Sequence, residues 1–232
     1  MLCSAGVSVR GPTHSADGVC NQDALGLWGW QGGHIVVVSD GLGSRPLSHI
    51  GSSLACKVAR KVIRSGCTWD DPKALISKFY RAWMDELPIP PNRAACTFLL
   101  AACRENGDAL VAQLGDGLLA YQSEGRFGVL SADRAGFSNQ TDALGISKSW
   151  ADWRVARLKL QSSGDGVVLM TDGISDDLLF SQREAFFGML RKECGSLSSR
   201  QARGWLRRQL ESWPTPGHID DKTIAMIFRG SR

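Results

Sequence analysis

Three apolar runs in this sequence end in the same way, with a small residue followed by Asp-Gly. The runs read Val36-Val37-Val38-Ser39-Asp40-Gly41, Ala112-Gln113-Leu114-Gly115-Asp116-Gly117 and Val168-Leu169-Met170-Thr171-Asp172-Gly173. Ile35 precedes the first run and makes it a continuous β-branched stretch, which is typical of a strand buried on both faces. A carboxylate at the end of a buried strand is unfavourable unless it is paired or bound to a cation. The pattern therefore favours a fold in which these strand ends meet a compensating charge.

Three further acids have similar settings. Asp220 and Asp221 stand just before the apolar run Ile224–Ile227, and Asp23 precedes another strand-like run. Several carboxylates brought together repel one another, and a hard divalent cation removes that repulsion. Mg²⁺ and Mn²⁺ prefer such oxygen ligands. A glycine after the aspartate lets the chain turn sharply, so that its carbonyl oxygen can also face a metal.

Each Asp-Gly pair also has an ordinary explanation as a hairpin turn. That explanation is strongest for Asp116, because another strand-like run follows at once. It is weaker for Asp40, where a helical pattern follows, and for Asp172, where no return strand follows. The acidic pair at 220–221 has the alternative of a solvent-exposed turn. The metal hypothesis therefore depends on the whole set of acids rather than on any one of them.

The hydrophobic periodicity predicts an α+β fold. Strands are predicted at 7–10, 24–30, 35–39, 97–103, 109–114, 118–122, 126–130, 153–160, 167–170 and 223–228, and helices at 50–62, 72–87, 182–192 and 200–211. Asp71 and Pro72 are expected to cap and begin the second helix, and Asn106-Gly107 to form a hairpin turn. Because helices come in pairs between groups of strands, the order favours two sheets covered by helices over alternating βαβ units.

Length and composition are those of one globular domain spanning residues 1–232. No apolar run is long enough to cross a bilayer, and the segment Met1–Ser4 lacks the charged and apolar regions of a secretion signal. The seven cysteines include no C-x-x-C pair. Reduced thiols in a cytoplasmic protein are therefore expected, rather than a disulfide framework or a zinc site.

The formal net charge of +4 is concentrated in one segment. Residues 181–211 hold seven Lys or Arg and three Glu, so this segment alone carries the excess. Its favoured interpretation is a solvated face of two surface helices, and the alternative is a docking surface for an acidic partner. Nucleic-acid binding is the least favoured, because no aromatic-rich single-strand motif or reading helix accompanies the charge.

Seven short motifs, taken in order, resemble the motif series of the type 2C metal-dependent serine/threonine protein phosphatases. They are Asn21-Gln22-Asp23, Val38-Ser39-Asp40-Gly41-Leu42-Gly43, Ala95-Cys96-Thr97, Leu114-Gly115-Asp116-Gly117, Asn139-x-Thr141-x-Ala143-Leu144-Gly145, Thr171-Asp172-Gly173-Ile174-x-Asp176 and Asp220-Asp221-x-Thr223. The resemblance covers nearly the whole chain. It implies a four-layer αββα sandwich, in which two mainly antiparallel β-sheets lie between helix pairs.

The resemblance also implies a site and a reaction. Two Mn²⁺ or Mg²⁺ ions would be held by Asp40, the Gly41 carbonyl, Asp172 and Asp220, with Asp40 between them, while Asp23 binds through water and Asp116 serves a weaker third ion. Two such ions about 3.5–4 Å apart would lower the pKa of a bound water, and the resemblance implies that this water attacks phosphorus without a phospho-enzyme. The implied substrate is a phosphoserine or phosphothreonine protein, and a cognate Ser/Thr kinase is an expected partner.

The sequence departs from the family pattern at three places. Gly18 stands where many members have an arginine that binds the substrate phosphate, Leu42 replaces the histidine of eukaryotic members, and Gly117-Leu118 follows Asp116 in place of Ser-Arg. His14 and Arg45 are the candidates to bind the phosphate instead. The alternative function is a catalytically weak or inactive phosphatase-like binding module.

Two other segments carry weaker expectations. Residues 133–144 are expected in or near a variable flap beside the site. His218 is interpreted as a loop histidine, with a role behind the metal ligand Asp220 as the alternative.

Overall fold

The computed structural model describes residues 1–66, 69–131, 141–213 and 219–230. Within these residues, ten strands form two sheets of five strands each. The strands are β1 (Leu2–Val9), β2 (Ala24–Trp30), β3 (Gly33–Ser39), β4 (Phe98–Cys103), β5 (Asp108–Leu114), β6 (Leu118–Ser123), β7 (Arg126–Val129), β8 (Arg154–Lys159), β9 (Gly166–Met170) and β10 (Lys222–Arg229). The first sheet has the order β1-β10-β9-β6-β7 and the second the order β2-β3-β4-β5-β8. Every paired neighbour is antiparallel.

Helices cover the outer face of each sheet. The described helices are α1 (Pro12–Ala16), α2 (Ser48–Arg64), α3 (Pro72–Glu86), α4 (Asp172–Ser175), α5 (Arg183–Cys194) and α6 (Ser199–Glu211). The apolar faces of α2 and α3 pack on the second sheet, and those of α5 and α6 pack on the first. The predicted α+β sandwich of two antiparallel sheets flanked by helix pairs is confirmed.

Strand β3 shows why the sequence gives this layering. Ile35 and Val37 point into the layer shared with α2 and α3, where they join Phe79, Trp83 and Phe98. Val36 and Val38 point the other way, into the layer between the two sheets. Successive side chains of a strand lie on opposite faces, so a continuous apolar run is required where both faces are covered.

The residues predicted to cap a helix and to form a turn do lie at the ends of helices and strands. The Asp71 side chain accepts a hydrogen bond from Ala74 N at 2.9 Å, and Pro72 is the first residue of α3. The chain turns at Asn106-Gly107 between β4 and β5, and Gly107 has a φ of +90°. These predictions are confirmed. None of the described helices has the length and hydropathy needed to cross a membrane.

The connection from β5 to β6 is not a hairpin, although Asp116-Gly117 is a common hairpin dipeptide. Strand β5 belongs to the second sheet and β6 to the first, so Asp116 lies where the chain crosses between them. Gly115 and Gly117 have φ values of +98° and +55°, which favour glycine. A Cβ at Gly115 would also lie 2.7 Å from the Asp142 carbonyl oxygen. The ordinary turn explanation for Asp116 is therefore wrong.

The basic segment 181–211 forms α5, α6 and the turns beside them. Six of its seven cations are exposed. Arg207 and Glu211 form an ion pair there at 3.7 Å. The six cysteines that the structure describes are free thiols, and Cys67 lies outside the described residues.

Candidate metal centre

The predicted site residues meet at the edge where the two sheets face each other. Asp40 follows the last residue of β3 in the second sheet, whereas Asp172 and Asp220 border β9 and β10 in the first. All three line one cavity of about 360 Å³. Gly41 and Asp116 line the same cavity. Residues far apart in the chain are thus brought together by the packing of one sheet on the other.

The backbone around Asp40 is held by its neighbours in β4 and the preceding loop. Thr97 N donates to the Asp40 carbonyl oxygen at 2.7 Å, and Asp40 N donates to Thr97 Oγ1 at 3.0 Å. Leu42 N donates to the Ala95 carbonyl oxygen at 3.0 Å. A Cβ at Gly41 would lie 2.8 Å from both the Gln22 carbonyl oxygen and the Ser48 side chain. Glycine is therefore required after Asp40 for steric reasons.

Asp23 lies behind the cavity, and 9% of its surface is exposed. Thr171 Oγ1 donates to Asp23 Oδ2 at 3.0 Å, which ties the loop before β2 to the end of β9. Asp23 Oδ1 is buried and, among the described residues, has no hydrogen-bond partner; the same holds for Asp172 Oδ1. Buried carboxylate oxygens without partners are costly. Together with the all-oxygen donor set, they fit a hard divalent cation.

The electrostatics of these carboxylates are those of a crowded acidic cluster. Burial, with the nearby charges of Asp23 and Asp172, raises the pKa of Asp40 well above its ordinary value. Burial is also the main cause that raises the pKa of Asp23 to about 8. The pKa of Asp172 is raised by burial and by the charges of Asp116 and Asp220. Each raised pKa means that the ionised form of the carboxyl group is disfavoured in this cavity when no cation is bound.

Asp116 reaches the cavity from the crossing between the sheets. Thr141 Oγ1 donates to Asp116 Oδ2 at 2.9 Å. Gln113, which is buried, donates through Nε2 to the carbonyl oxygens of Gly115, Asp116 and Gly117 at 3.1, 3.0 and 3.3 Å. One buried amide thus fixes the loop that presents Asp116.

Asp221 has a role that the sequence interpretation missed. It is 3% exposed and accepts hydrogen bonds from Gly11 N and Gln22 N, both at 2.7 Å. Gly11 N donates to Oδ1, whereas Oδ2 accepts from Gln22 N and also lies 2.9 Å from His14 Nδ1. Asp221 therefore holds the loops around α1 and before β2 against β10. The available signal was the position of the acidic pair beside a buried strand, since alternation turns one of two adjacent side chains inward.

The candidates for phosphate binding are placed differently. His14 and Arg45 both line the cavity, and His14 is engaged with Asp221. Gly18 is exposed with a φ of +68°, and no atom lies within 4 Å of where its Cβ would be. Asn139, most of the expected flap (133–140) and His218 lie outside the described residues.

Comparison with known proteins agrees with this architecture. The family model described as protein phosphatase 2C matches residues 10–211, and the chain belongs to this family. No curated protein sequence matches it. Members of the family act on phosphorylated proteins.

Solved structures share the fold at low sequence identity. The photosystem II phosphatase PBCP superposes with a TM-score of 0.72 at 16% identity, covering 100% of both chains. The catalytic domain of the serine threonine protein phosphatase PstP, in complex with two manganese ions, gives 0.68 at 15% identity over 98% of this chain and 97% of that one. PppA, a regulatory component of T6SS in Pseudomonas aeruginosa, gives 0.65 at 20% identity over 98% and 97%.

Proposed function

We propose that this protein is a phosphatase that hydrolyses phosphoserine and phosphothreonine in proteins with the help of two divalent cations. The observation that carries the proposal is the meeting of four carboxylates, Asp40, Asp116, Asp172 and Asp220, in one cavity between the sheets. Membership of the protein phosphatase 2C family supports the reaction class. The buried Oδ1 atoms of Asp23 and Asp172, which have no hydrogen-bond partner in the described part of the chain, support the cations.

The residues divide the work of holding the ions. Asp40 would lie between two Mn²⁺ or Mg²⁺ ions, the Gly41 carbonyl would contact one, and Asp172 and Asp220 the other. Asp23 would act through water and Asp116 would serve a third, weaker site. When bound, such ions supply a nucleophilic water near neutral pH and neutralise charge on the phosphoryl oxygens. The protein's own part is to keep the carboxylates at fixed separations, and Thr97, Thr171 and Gln113 do this through the hydrogen bonds described above.

A cysteine nucleophile is not part of the proposal. Cys96, whose backbone pairs with Gly41, is a buried cysteine next to the site. Burial raises the pKa of its thiol to about 12, so the reactive thiolate is essentially absent at neutral pH. Cys96 is therefore not assigned as a nucleophile, and the proposed chemistry is attack by water.

We also infer a cytoplasmic setting, a phosphoprotein substrate and a Ser/Thr kinase that acts on the same substrate. Free thiols at the six described cysteines support a reducing compartment. The whole chain, 1–232, is proposed to act as one phosphatase-like catalytic domain. A second candidate is a metal-binding module with little or no catalysis, which the glycine at position 18 and the Gly117-Leu118 pair favour.

The experiment is hydrolysis of p-nitrophenyl phosphate and of a phosphothreonine peptide with and without Mn²⁺. Loss of a group that merely orients a metal ligand already costs about 10–100-fold in metal affinity or activity. Asp40→Asn removes a ligand that both proposed ions share, so turnover is expected to fall at least about 100-fold. Asp85→Asn, at an exposed position on α3, is the matched control and should behave as wild type. A wild-type rate no higher than that of Asp40→Asn sinks the proposal. Calorimetric Mn²⁺ binding without turnover would then favour the binding module.

A further inference from the structure

We propose that Arg45 binds the phosphate group of the substrate, and so replaces the arginine that is absent at position 18. The inference rests on the proposed phosphatase function and assigns one of its residues. Arg45 and His14 are equivalent candidates from the sequence, and their surroundings separate them.

Arg45 is held in position by the loop between Asp40 and α2. Its backbone N donates to the Leu42 carbonyl oxygen at 2.8 Å, and its carbonyl oxygen accepts from Ser48 N at 3.3 Å. Ser48 is the first residue of α2 and is completely buried. The loop is thus fixed at both ends, and the Arg45 side chain lines the same cavity as the carboxylates.

The guanidinium of Arg45 has no partner within the part of the chain that the structure describes. Its Nε is buried without a hydrogen bond, and no ion pair joins it to any of the four cavity carboxylates there. A buried donor left unsatisfied costs about 1–3 kcal/mol. A cation that lines an acidic cavity without pairing to its acids is set to bind an anion that enters from outside.

His14 is less suited to this task. Its Nδ1 contacts Asp221 at 2.9 Å, and that carboxylate also holds two backbone N–H groups. The ring is therefore committed to the structure around α1. Among the described residues that line the cavity, Arg45 is the one with a permanent positive charge.

The charged groups that line the cavity suit the binding of a phosphate monoester. Cations bound by the carboxylates would take the phosphoryl oxygens on one side, and a planar guanidinium can hold two oxygens at once on the other. At Gly18, a side chain would enter open space from a backbone with φ of +68°, which disfavours residues other than glycine. The phosphate ligand is therefore expected on the α2 side of the cavity rather than on the α1 side.

The test compares wild type with Arg45→Ala, Arg45→Gln, Arg45→Lys and the control Arg81→Ala, which removes an exposed arginine of α3. The measurements are kcat and KM for p-nitrophenyl phosphate at saturating Mn²⁺, the inhibition constant of inorganic phosphate, and the Mn²⁺ dissociation constant. Arg45→Ala and Arg45→Gln should raise KM and the phosphate inhibition constant at least about 10-fold, as expected for loss of a charge-assisted hydrogen bond. Their Mn²⁺ affinity should stay within about twofold of wild type, and Arg45→Lys should be intermediate.

The outcomes separate this inference from the proposed function. If wild type is active but Arg45→Gln keeps KM and phosphate inhibition within about twofold of wild type, Arg45 is not the phosphate ligand and the phosphatase proposal stands. If wild type is inactive, the phosphatase proposal fails, and calorimetric binding of inorganic phosphate to the Mn²⁺-loaded protein still tests Arg45. Phosphate binding that Arg45→Gln abolishes would support the assignment, and absence of phosphate binding to wild type would overturn it.

Discussion

Two neighbouring carboxylates, Asp220 and Asp221, have opposite surroundings. Asp220 is exposed and lines the cavity, whereas Asp221 is buried and satisfied by hydrogen bonds from Gly11, Gln22 and His14. The first is available to a cation and the second is used to hold loops together. Adjacent acids of the same type therefore have separable effects on ion binding and on folding.

Asp221→Asn is expected to lower the free energy of unfolding by about 2–3 kcal/mol, because an amide cannot accept from all three donors and places an N–H₂ group against them. The measurement is urea denaturation in the presence of EDTA. A variant as stable as wild type would show that these hydrogen bonds contribute little.

Asp220→Asn is the matched comparison one residue away. Its unfolding free energy in EDTA should stay within about 0.5 kcal/mol of wild type, since the side chain is exposed. Its Mn²⁺ affinity, measured by calorimetry, should fall at least about 10-fold. Unchanged Mn²⁺ binding would remove Asp220 from the proposed ligand set.

At the scale of elements, β3 joins the layers and also supports the site. Its alternating apolar residues fill two layers, and Asp40 follows its last residue. At its other end, His34 links the sheets, because Nδ1 lies 2.9 Å from Ser4 Oγ and Nε2 lies 3.3 Å from the Leu2 carbonyl oxygen of β1. A carbonyl oxygen can only accept, so the neutral ring donates from Nε2 and accepts at Nδ1.

This histidine predicts a pH dependence of stability. Burial lowers the pKa of His34, although the hydrogen bond to Leu2 raises it in part. The folded-state pKa of His34 therefore lies below the unfolded-state pKa, which is about 6.5. Such a histidine makes its full contribution to stability at pH values above the unfolded-state pKa, and this contribution is lost as pH falls through the folded-state pKa. The difference in unfolding free energy between wild type and His34→Gln, from urea denaturation, should therefore shrink from pH 7.5 to pH 5. A difference that does not change with pH would contradict the assignment.

Most elements could be predicted from the sequence, and the exceptions have physical causes. The strand predicted at 7–10 begins in fact at Leu2. Its first residues were missed because Ser4 and Ala5 have little intrinsic strand preference and are extended through their pairing with β10. Helices α1 and α4 have five and four residues, which is too short for helical periodicity to be visible. Helix α4 starts at Asp172 itself, so the turn that positions this acid was not anticipated.

The candidate site was predictable as a set of residue types but not as a geometry. The motif series named Asp40, Asp172 and Asp220, and the two sheets bring them into one cavity. The bonds that support them, such as Thr171 to Asp23, join residues far apart in the chain. Spacing carries no information about such contacts, because they depend on how one sheet packs on the other.

For the molecule as a whole, the acidic cluster predicts that divalent ions stabilise the fold. A ligand that binds only the folded protein adds about 2.7 kcal/mol per site at 100 times its Kd. For a chain of this length, that corresponds to a rise in Tm of roughly 5–10 °C.

The thermal test is scanning calorimetry in EDTA and in Mn²⁺. Wild type should gain stability with Mn²⁺. Asp40→Asn should be more stable than wild type in EDTA, because it replaces a buried carboxyl group whose pKa is strongly raised by burial and by the neighbouring acids. The same variant should gain little stability from Mn²⁺. An Asp40→Asn variant that is less stable than wild type in EDTA would show that the cluster is not self-repelling.

The division of the cavity between two sheets has a consequence for residues that never touch it. Asp40 moves with one sheet, and Asp172 and Asp220 move with the other. Ala101 and Ala225 are fully buried in the layer between them, so a larger side chain at either position would push the sheets apart. Ion affinity and turnover can therefore be altered from the deep interior, and a screen confined to the cavity walls would overlook the substitutions that tune both.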